Sequence, residues 1–265
     1  MATTINNTTT GILTTPDATG VLAIQTAGTT AVTVDASQNV GVGIVPTGLD
    51  FLEIAAGTTS KAPLGFTSGS LLTSIDQGSM EYDGKVLYMA AEASQRGVVN
   101  AEQFITLTAN YTTPAGTNNV LKQMFNTPSG GALTVAGSTT YFFECLFNLT
   151  TMSATSGTFA FGLGGTATYS SVLYMATANK TATSVQTSQN MTFGTAATAT
   201  TIIGTANTTT TGQAYIKGKI VIGTGGTIVP SFALSVANAA VVQTGSFFRI
   251  VAAGSNTVTS VGNWA

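Results

Sequence analysis

Histidine is absent from this sequence. That removes Ser-His-Asp triads, Cys-His pairs and most zinc sites at once, because each needs an imidazole as base or ligand. Cysteine occurs once, at Cys145, so no internal disulfide can form. Charge is scarce as well: eight Lys and Arg and ten Asp and Glu make 7% of the chain, against roughly 25% in an ordinary soluble domain. The eight bases are scattered and form no stripe that could neutralise phosphates, which excludes nucleic acid as an expected partner. No apolar run approaches the roughly 20 residues that span a bilayer. The start, Met1-Ala2-Thr3-Thr4-Ile5, lacks the basic flank and apolar core of a signal peptide. The expectation is a chain assembled in a cytoplasm, without membrane insertion.

What is present is Thr, Ala and Gly, with 43% hydrophobic residues. Disordered chains are highly charged and poor in apolar residues, so this one folds. Its net charge of −2 gives little colloidal repulsion. Much of its surface is therefore expected to be buried against copies of itself or other subunits. The apolar runs are short, β-prone and separated by Gly/Thr/Asn turns, which predicts an all-β chain. Residues 1–50 read as an extended β arm, 51–101 as a short β-hairpin junction, and 102–265 as an antiparallel, jelly-roll-like β-sandwich.

In the arm, Val21–Gln25 and Ala31–Val34 are candidate strands around the Ala27-Gly28-Thr29 turn. Asn39-Val40-Gly41-Val42-Gly43-Ile44-Val45-Pro46 follows, a valine/glycine alternation stopped by proline. Gly41 and Gly43 strip one face of side chains, which invites close approach by another chain. So short an arm buries too little apolar surface to offset its chain entropy, and it is expected to order only in an oligomer or on a partner.

The junction holds ten of the eighteen charges, counting Asp50 to Glu102. Phe51, Leu52 and Ile54 form an apolar cluster. Asp83-Gly84 between Met80–Tyr82 and Lys85–Met89 signals a hairpin, because both positions of a two-residue loop need positive φ. That loop would pair Tyr82 with Lys85 and Met80 with Leu87, leaving Met80, Tyr82 and Leu87 on one face. A lone hairpin is marginal, so this face and the Phe51, Leu52, Ile54 cluster are the expected assembly residues. Ala90–Gln95 could form one helical turn.

Beyond Phe104–Thr108, the strongest strand is Thr140–Leu149. Tyr141, Phe143, Cys145, Phe147 and Leu149 share its apolar face and are assigned to the core. Cys145 is then a small buried hydrophobe rather than a nucleophile. Glu144, on the opposite face, is the only acid after Glu102 and should meet solvent, an interface, or one of Lys217, Lys219 and Arg249. Further strands are expected at Thr158–Leu163, Ser171–Met175, Ala214–Ile222, Ser231–Val236 and Ser246–Val251. Thr181–Gly212 reads as a long excursion with one strand at Thr200–Ile203. Tyr169, Tyr174 and Tyr215 either pack or stack on sugars, and Trp264 should pack on the sandwich or a subunit contact.

Little catalytic chemistry remains. Glycoside hydrolysis needs two carboxylates roughly 5–10 Å apart, and the sandwich offers only Glu102 and Glu144. Gly162-Leu163-Gly164-Gly165 is no phosphate loop, since no Lys-Ser/Thr follows it. No enzyme activity, cofactor or metal is expected.

Two stretches carry a resemblance. Asn39-Val40-Gly41-Val42-Gly43-Ile44…Pro46 with Phe51-Leu52-Glu53-Ile54 resembles a connector of tailed-phage fibre and appendage proteins. Lys61-Ala62-Pro63-Leu64…Phe66-Thr67-Ser68-Gly69…Leu71-Leu72-Thr73…Gly78…Glu81-Tyr82-Asp83-Gly84…Leu87-Tyr88 resembles a second module of the same proteins. Val42 and Val45 stand where the family has Ile and Thr. The resemblance covers about residues 35–99 and carries no chemistry. It implies a homotrimeric, elongated virion component in which 51–101 trimerises and the arm meets other virion proteins of tail, baseplate or capsid. The expected function is a tail fibre displaying its sandwich to the host surface, with a surface glycan as a further contact. A capsid-decorating protein and a polysaccharide-degrading spike are the alternatives.

Overall fold

The computed structural model describes residues 20–114, 119–126, 129–152, 158–179, 190–203, 212–236 and 240–256. The first 19 residues of the arm, much of 181–212 and Trp264 lie outside them. The chain divides into two units, Met1–Phe66 and Thr67–Ala265. Regular structure among the described residues is strand, apart from a 3-10 turn at Ser129–Gly131.

The first unit holds β1 (Leu22–Thr26), β2 (Thr29–Val34), β3 (Val40–Val42) and β4 (Leu52–Ile54), hydrogen-bonded in that order. The break between units falls after Phe66 rather than at residue 50, because β4 pairs with β3 in parallel, Val40 opposite Leu52 and Val42 opposite Ile54. Ala27 and Gly28 turn the chain with φ of 50° and 77°, the two positive values that a tight hairpin demands. Between β2 and β3 the Asp35 carboxylate accepts from the Ser37 and Asn39 amides at 2.8 and 2.9 Å and from Asn39 Nδ2 at 3.0 Å. The bonds from Asn39 hold its carboxyl below the ordinary 3.8. The bare face at Gly41 is covered from within, not by another chain: a Cβ there would lie 2.8 Å from Pro46 Cδ and against the Ile44 carbonyl.

The second unit opens with a three-stranded sheet of β5 (Met80–Tyr82), β6 (Leu87–Glu92) and β7 (Gln95–Val99). Its register pairs Met80 with Met89 and Tyr82 with Leu87, two residues away from the expected pairing. The reason is local. Only Gly84 has positive φ, at 87°, and the Asp83 carboxylate accepts from the Lys85 and Val86 amides at 2.8 and 2.7 Å. That stabilises a loop of Asp83 to Val86 instead of a two-residue turn. Because strand side chains alternate with period 2, the slip leaves Met80, Tyr82 and Leu87 on one face. The expected helical turn at Ala90–Gln95 is replaced by a second hairpin: Ser94, at φ 66°, returns the chain as β7. The neighbour that β5 and β6 need therefore comes from the same chain.

The sandwich follows as β8 (Gln103–Thr106), β9 (Tyr111–Thr112), β10 (Lys122–Gln123), β11 (Leu133–Val135), β12 (Thr139–Thr150), β13 (Phe159–Gly164), β14 (Tyr169–Asn179), β15 (Asn190–Gly194), β16 (Thr200–Ile203), β17 (Gly212–Ile222), β18 (Gly226–Leu234), β19 (Val241–Val242) and β20 (Phe247–Ser255). The larger sheet runs β15-β14-β17-β12-β20-β8, with β19 and β9 alongside the end of β12. The smaller runs β16-β13-β18, with β10 and β11 sharing the far edge of β18. Pro230, which has no N–H to donate, stands between the stretches of β18 paired with β11 and with β10.

From β12 onward the chain crosses repeatedly between the two sheets, with β14–β15 and β19–β20 as the consecutive strands that stay in the larger one, so each hydrophobic face meets the other. Tyr141, Phe143, Cys145, Phe147 and Leu149 of β12 are buried in that core. Phe147 joins the layers, its ring edge-on to Phe159, Phe161 and Phe232 at 5.4, 5.8 and 6.0 Å. Such edge-to-face contacts add stabilisation beyond area burial.

Candidate assembly surfaces

No hydrophobic residue of 20–66 is buried. The four strands of the first unit hydrogen-bond to one another, but their sheet has no apolar core of its own. Phe51 is 83% exposed and Leu52 is also exposed, while Ile54 is half-buried in β4. The other three expected assembly residues, Met80, Tyr82 and Leu87, belong to the second unit.

The three-stranded sheet is asymmetric. On one face Val86, Tyr88, Ala90 and Arg96 are buried. Arg96 Nε donates to Glu81 at 2.7 Å, its Nη2 donates to the Leu72 carbonyl, and the Leu72 amide donates back to Glu81 at 2.5 Å. Gly69 and Gly78 add backbone bonds to Tyr82 and Ala90, so residues 69–78 are strapped across this face. The Arg96 guanidinium holds the Glu81 carboxyl below the ordinary 4.5. Burial, with Asp83 beside it, pushes the Tyr88 hydroxyl up to about 12. On the opposite face Met80, Met89 and Val99 are exposed and Tyr82 and Leu87 half-buried. Lys85 ties the sheet to the sandwich by donating to the Ser138 carbonyl at 2.7 Å.

The outward face of the larger sheet carries most of the sandwich's charge. Glu144 stands opposite Lys217 on one side and Arg249 on the other. It pairs with Arg249, whose guanidinium also lies 3.6 Å from Glu102. Lys217 makes no ion pair among the described residues. A fork of planar donors serves two carboxylates where a point charge serves one, which accounts for the choice of Arg over Lys. The four residues line a shallow hollow of about 280 Å³ beside Phe142. The two acids of the sandwich are thus brought together, but a guanidinium fills the space between them.

Cys145 is fully buried, 3.8 Å from the Met124 sulfur, and burial pushes its thiol well above the ordinary 9.0. Of the three tyrosines considered for sugar stacking, Tyr174 is buried edge-on to Phe161, and Tyr169 is half-buried with its hydroxyl on the Gly164 carbonyl. Only Tyr215 is exposed. Sequence reasoning missed the aromatic character of the outward face. The available signal was that Phe142 and Leu146 alternate with the core residues of β12.

No protein-family model and no curated protein matches the chain. Among the described residues no helix is long and apolar enough to cross a membrane. None of their Cys, Asp and Glu side chains gather in threes as metal ligands.

Proposed function

We propose that this chain is a structural protein of a tailed-phage virion, a homotrimeric tail fibre. Its first unit is the attachment arm and its sandwich is displayed for host-surface contact. The observation that carries this reading is the arm sheet with no buried hydrophobic residue, in which Phe51 and Leu52 stand exposed. Such a sheet is completed by docking, on sister chains and on other virion proteins. The resemblance of residues 39–54 and 61–88 to phage appendage modules supplies the kind of particle. The shared ion pairing of Glu102 and Glu144 supports a non-enzymatic role, since a hydrolase needs its two carboxylates open to a sugar between them.

Gold-labelled antibody against the chain, applied to virions that carry it, should decorate the tail. Label spread over the shell would replace the fibre with a capsid-decorating protein. Sedimentation of the purified chain should give a trimer, and a monomer would overturn the reading. Release of reducing ends from host surface polysaccharide would restore the spike.

A further inference from the structure

We infer that the outward face of the larger sandwich sheet is a contact surface between copies of this chain. Four large hydrophobic side chains stand out from it at half exposure or more: Phe193 at 67%, Phe104 at 54%, Met175 at 52% and Phe142 at 50%. Leu173 and Tyr215 are exposed on the same face. The smaller sheet presents nothing comparable. Its outward positions on β13 and β18 are Ala160, Gly162, Gly164, Thr227, Val229, Ser231 and Ala233, of which only the half-buried Val229 is a large hydrophobic, and a Cβ on Gly162 would already press on Leu121. An apolar patch confined to one side of a sandwich marks an interaction site rather than ordinary surface.

Register puts Phe193, Met175 and Phe104 in one row, with Leu173 and Phe142 in the row on one side and Tyr215 in the row on the other. Phe193 on β15 faces Met175 on β14, then Lys217, Glu144, Arg249 and Phe104 follow on β17, β12, β20 and β8. With the rows on either side, the face spans about 600 Å² of flat sheet at ordinary strand spacing and rise. A standard interface takes about 800 Å² of accessible surface from each partner, so the patch is of the right size for another folded chain and too broad for one small ligand.

Charge identifies that chain as a copy. Of the seven charged residues after residue 100, five lie on this face: Lys219, in register with Phe142 and Leu173, and four around the hollow. Across the strands those four read Lys217, Glu144, Arg249, Glu102, alternating in sign. A second copy that presents the strip reversed, or displaced by one strand, sets each cation against a carboxylate. Lys217, without an ion pair in the single chain, gains one. A face that meets its own copy is a two-fold contact, so it joins trimers in pairs rather than closing the trimer, and it rests on the proposed function only in requiring that copies associate. It adds an assembly surface in the sandwich to the one expected in residues 51–101.

The full-length chain tests it. Phe104→Glu with Met175→Glu, both at exposed positions, should leave the melting transition in place and raise the dissociation constant of the paired oligomer by about thirtyfold or more in sedimentation. On the unmodified chain, acetylation of Lys217 and Lys219 read by mass spectrometry should be slow in the oligomer and should rise on dilution to monomer. This second measurement decides the matter if the double variant does not fold. A paired oligomer that survives the substitutions, or lysines that label equally fast before and after dilution, would overturn the contact and leave the trimer standing. A monomeric wild type would remove both.

Discussion

Arg96 and Glu81 meet at 2.7 Å from the two outer strands of the small sheet, with 8% and 11% of their side chains exposed. The pair does more than match charge, because both partners also bond the backbone of Leu72. A segment without regular structure is thereby held across the sheet. Removing one partner of such a pair leaves the other buried and unpaired, at a cost of about 3–5 kcal/mol. Arg96→Met should therefore lower the unfolding free energy by about 3 kcal/mol. Glu81→Met with Arg96→Met should recover much of that loss in urea denaturation. A double variant no more stable than Arg96→Met would show that the Leu72 bonds, not the charges, dominate.

The same pair sets a pH dependence. The Glu81 carboxyl is held below its ordinary 4.5 by Arg96, so the folded state favours the ionised form. Its contribution is complete above the unfolded value and is lost as the pH falls through the depressed folded value. Melting temperatures of wild type and Glu81→Gln should differ at neutral pH and converge on acidification below about 4.5. A gap that is constant down to pH 3 would contradict the assignment.

The loop from Asp83 to Val86 rests on one carboxylate and one glycine. Gly84 has φ 87°, and a Cβ on it would stand 3.2 Å from Ser68 Cβ. Gly84→Ala should cost about 1–3 kcal/mol, the usual strain of a non-glycine residue in such a conformation. Asp83→Asn keeps the acceptor and should cost less than Asp83→Ala, which frees the Lys85 and Val86 amides. Equal losses for the two would mean that the charge, not the acceptor, shapes the turn.

These loops show where sequence was readable. Strict alternation made β12 and its buried face legible, since Tyr141 to Leu149 switch between apolar and mixed residues at every step. The Asp83-Gly84 signal located the hairpin but not its register. Loop length there depends on whether Asp83 takes a positive φ or caps amides, a choice between two local geometries that the dipeptide does not encode. β15 was invisible because Asn190–Gly194 sits in a Thr/Ala-rich stretch without contrast. β4 read as an apolar cluster because its partner, β3, lies across the proline turn. The scarcity of charge named Arg249 among the candidate partners of Glu144, which it is, but the hollow needed three strands and the lead into β8 brought side by side, and nothing local joined Glu102 to it.

Cys145 gives a probe of the core. Its thiol is buried and pushed well above the ordinary 9.0 by desolvation, and only the thiolate reacts quickly. The native chain should resist a thiol reagent at neutral pH and react fully in guanidinium. Cys145→Ser places a hydroxyl where its near neighbour is the Met124 sulfur, and should destabilise by about 1–3 kcal/mol. Rapid labelling of the native protein would place Cys145 outside the core.

Gly218 is the opposite case, a position where the core depends on a missing side chain. It lies on β17 between Ile216 and Ile220, pairing with Phe143 and with Tyr174. A Cβ built there would press first on the Leu173 carbonyl oxygen, then come within 2.5 Å of Tyr174 Cβ and 2.8 Å of Phe143 Cε1. Neither ring can withdraw freely. Phe143 stacks on Phe248 at 5.7 Å and Phe161 at 6.1 Å, and Tyr174 is edge-on to Phe161 at 5.2 Å. Gly218→Ala should therefore cost about 1–3 kcal/mol through overpacking, despite the better strand propensity of alanine. Gly218→Ala with Phe143→Leu should return part of the loss by opening space on one side. If Gly218→Ala instead raises the denaturation midpoint, the close approach of Tyr174 and Phe143 to β17 is not the constraint that selects glycine there.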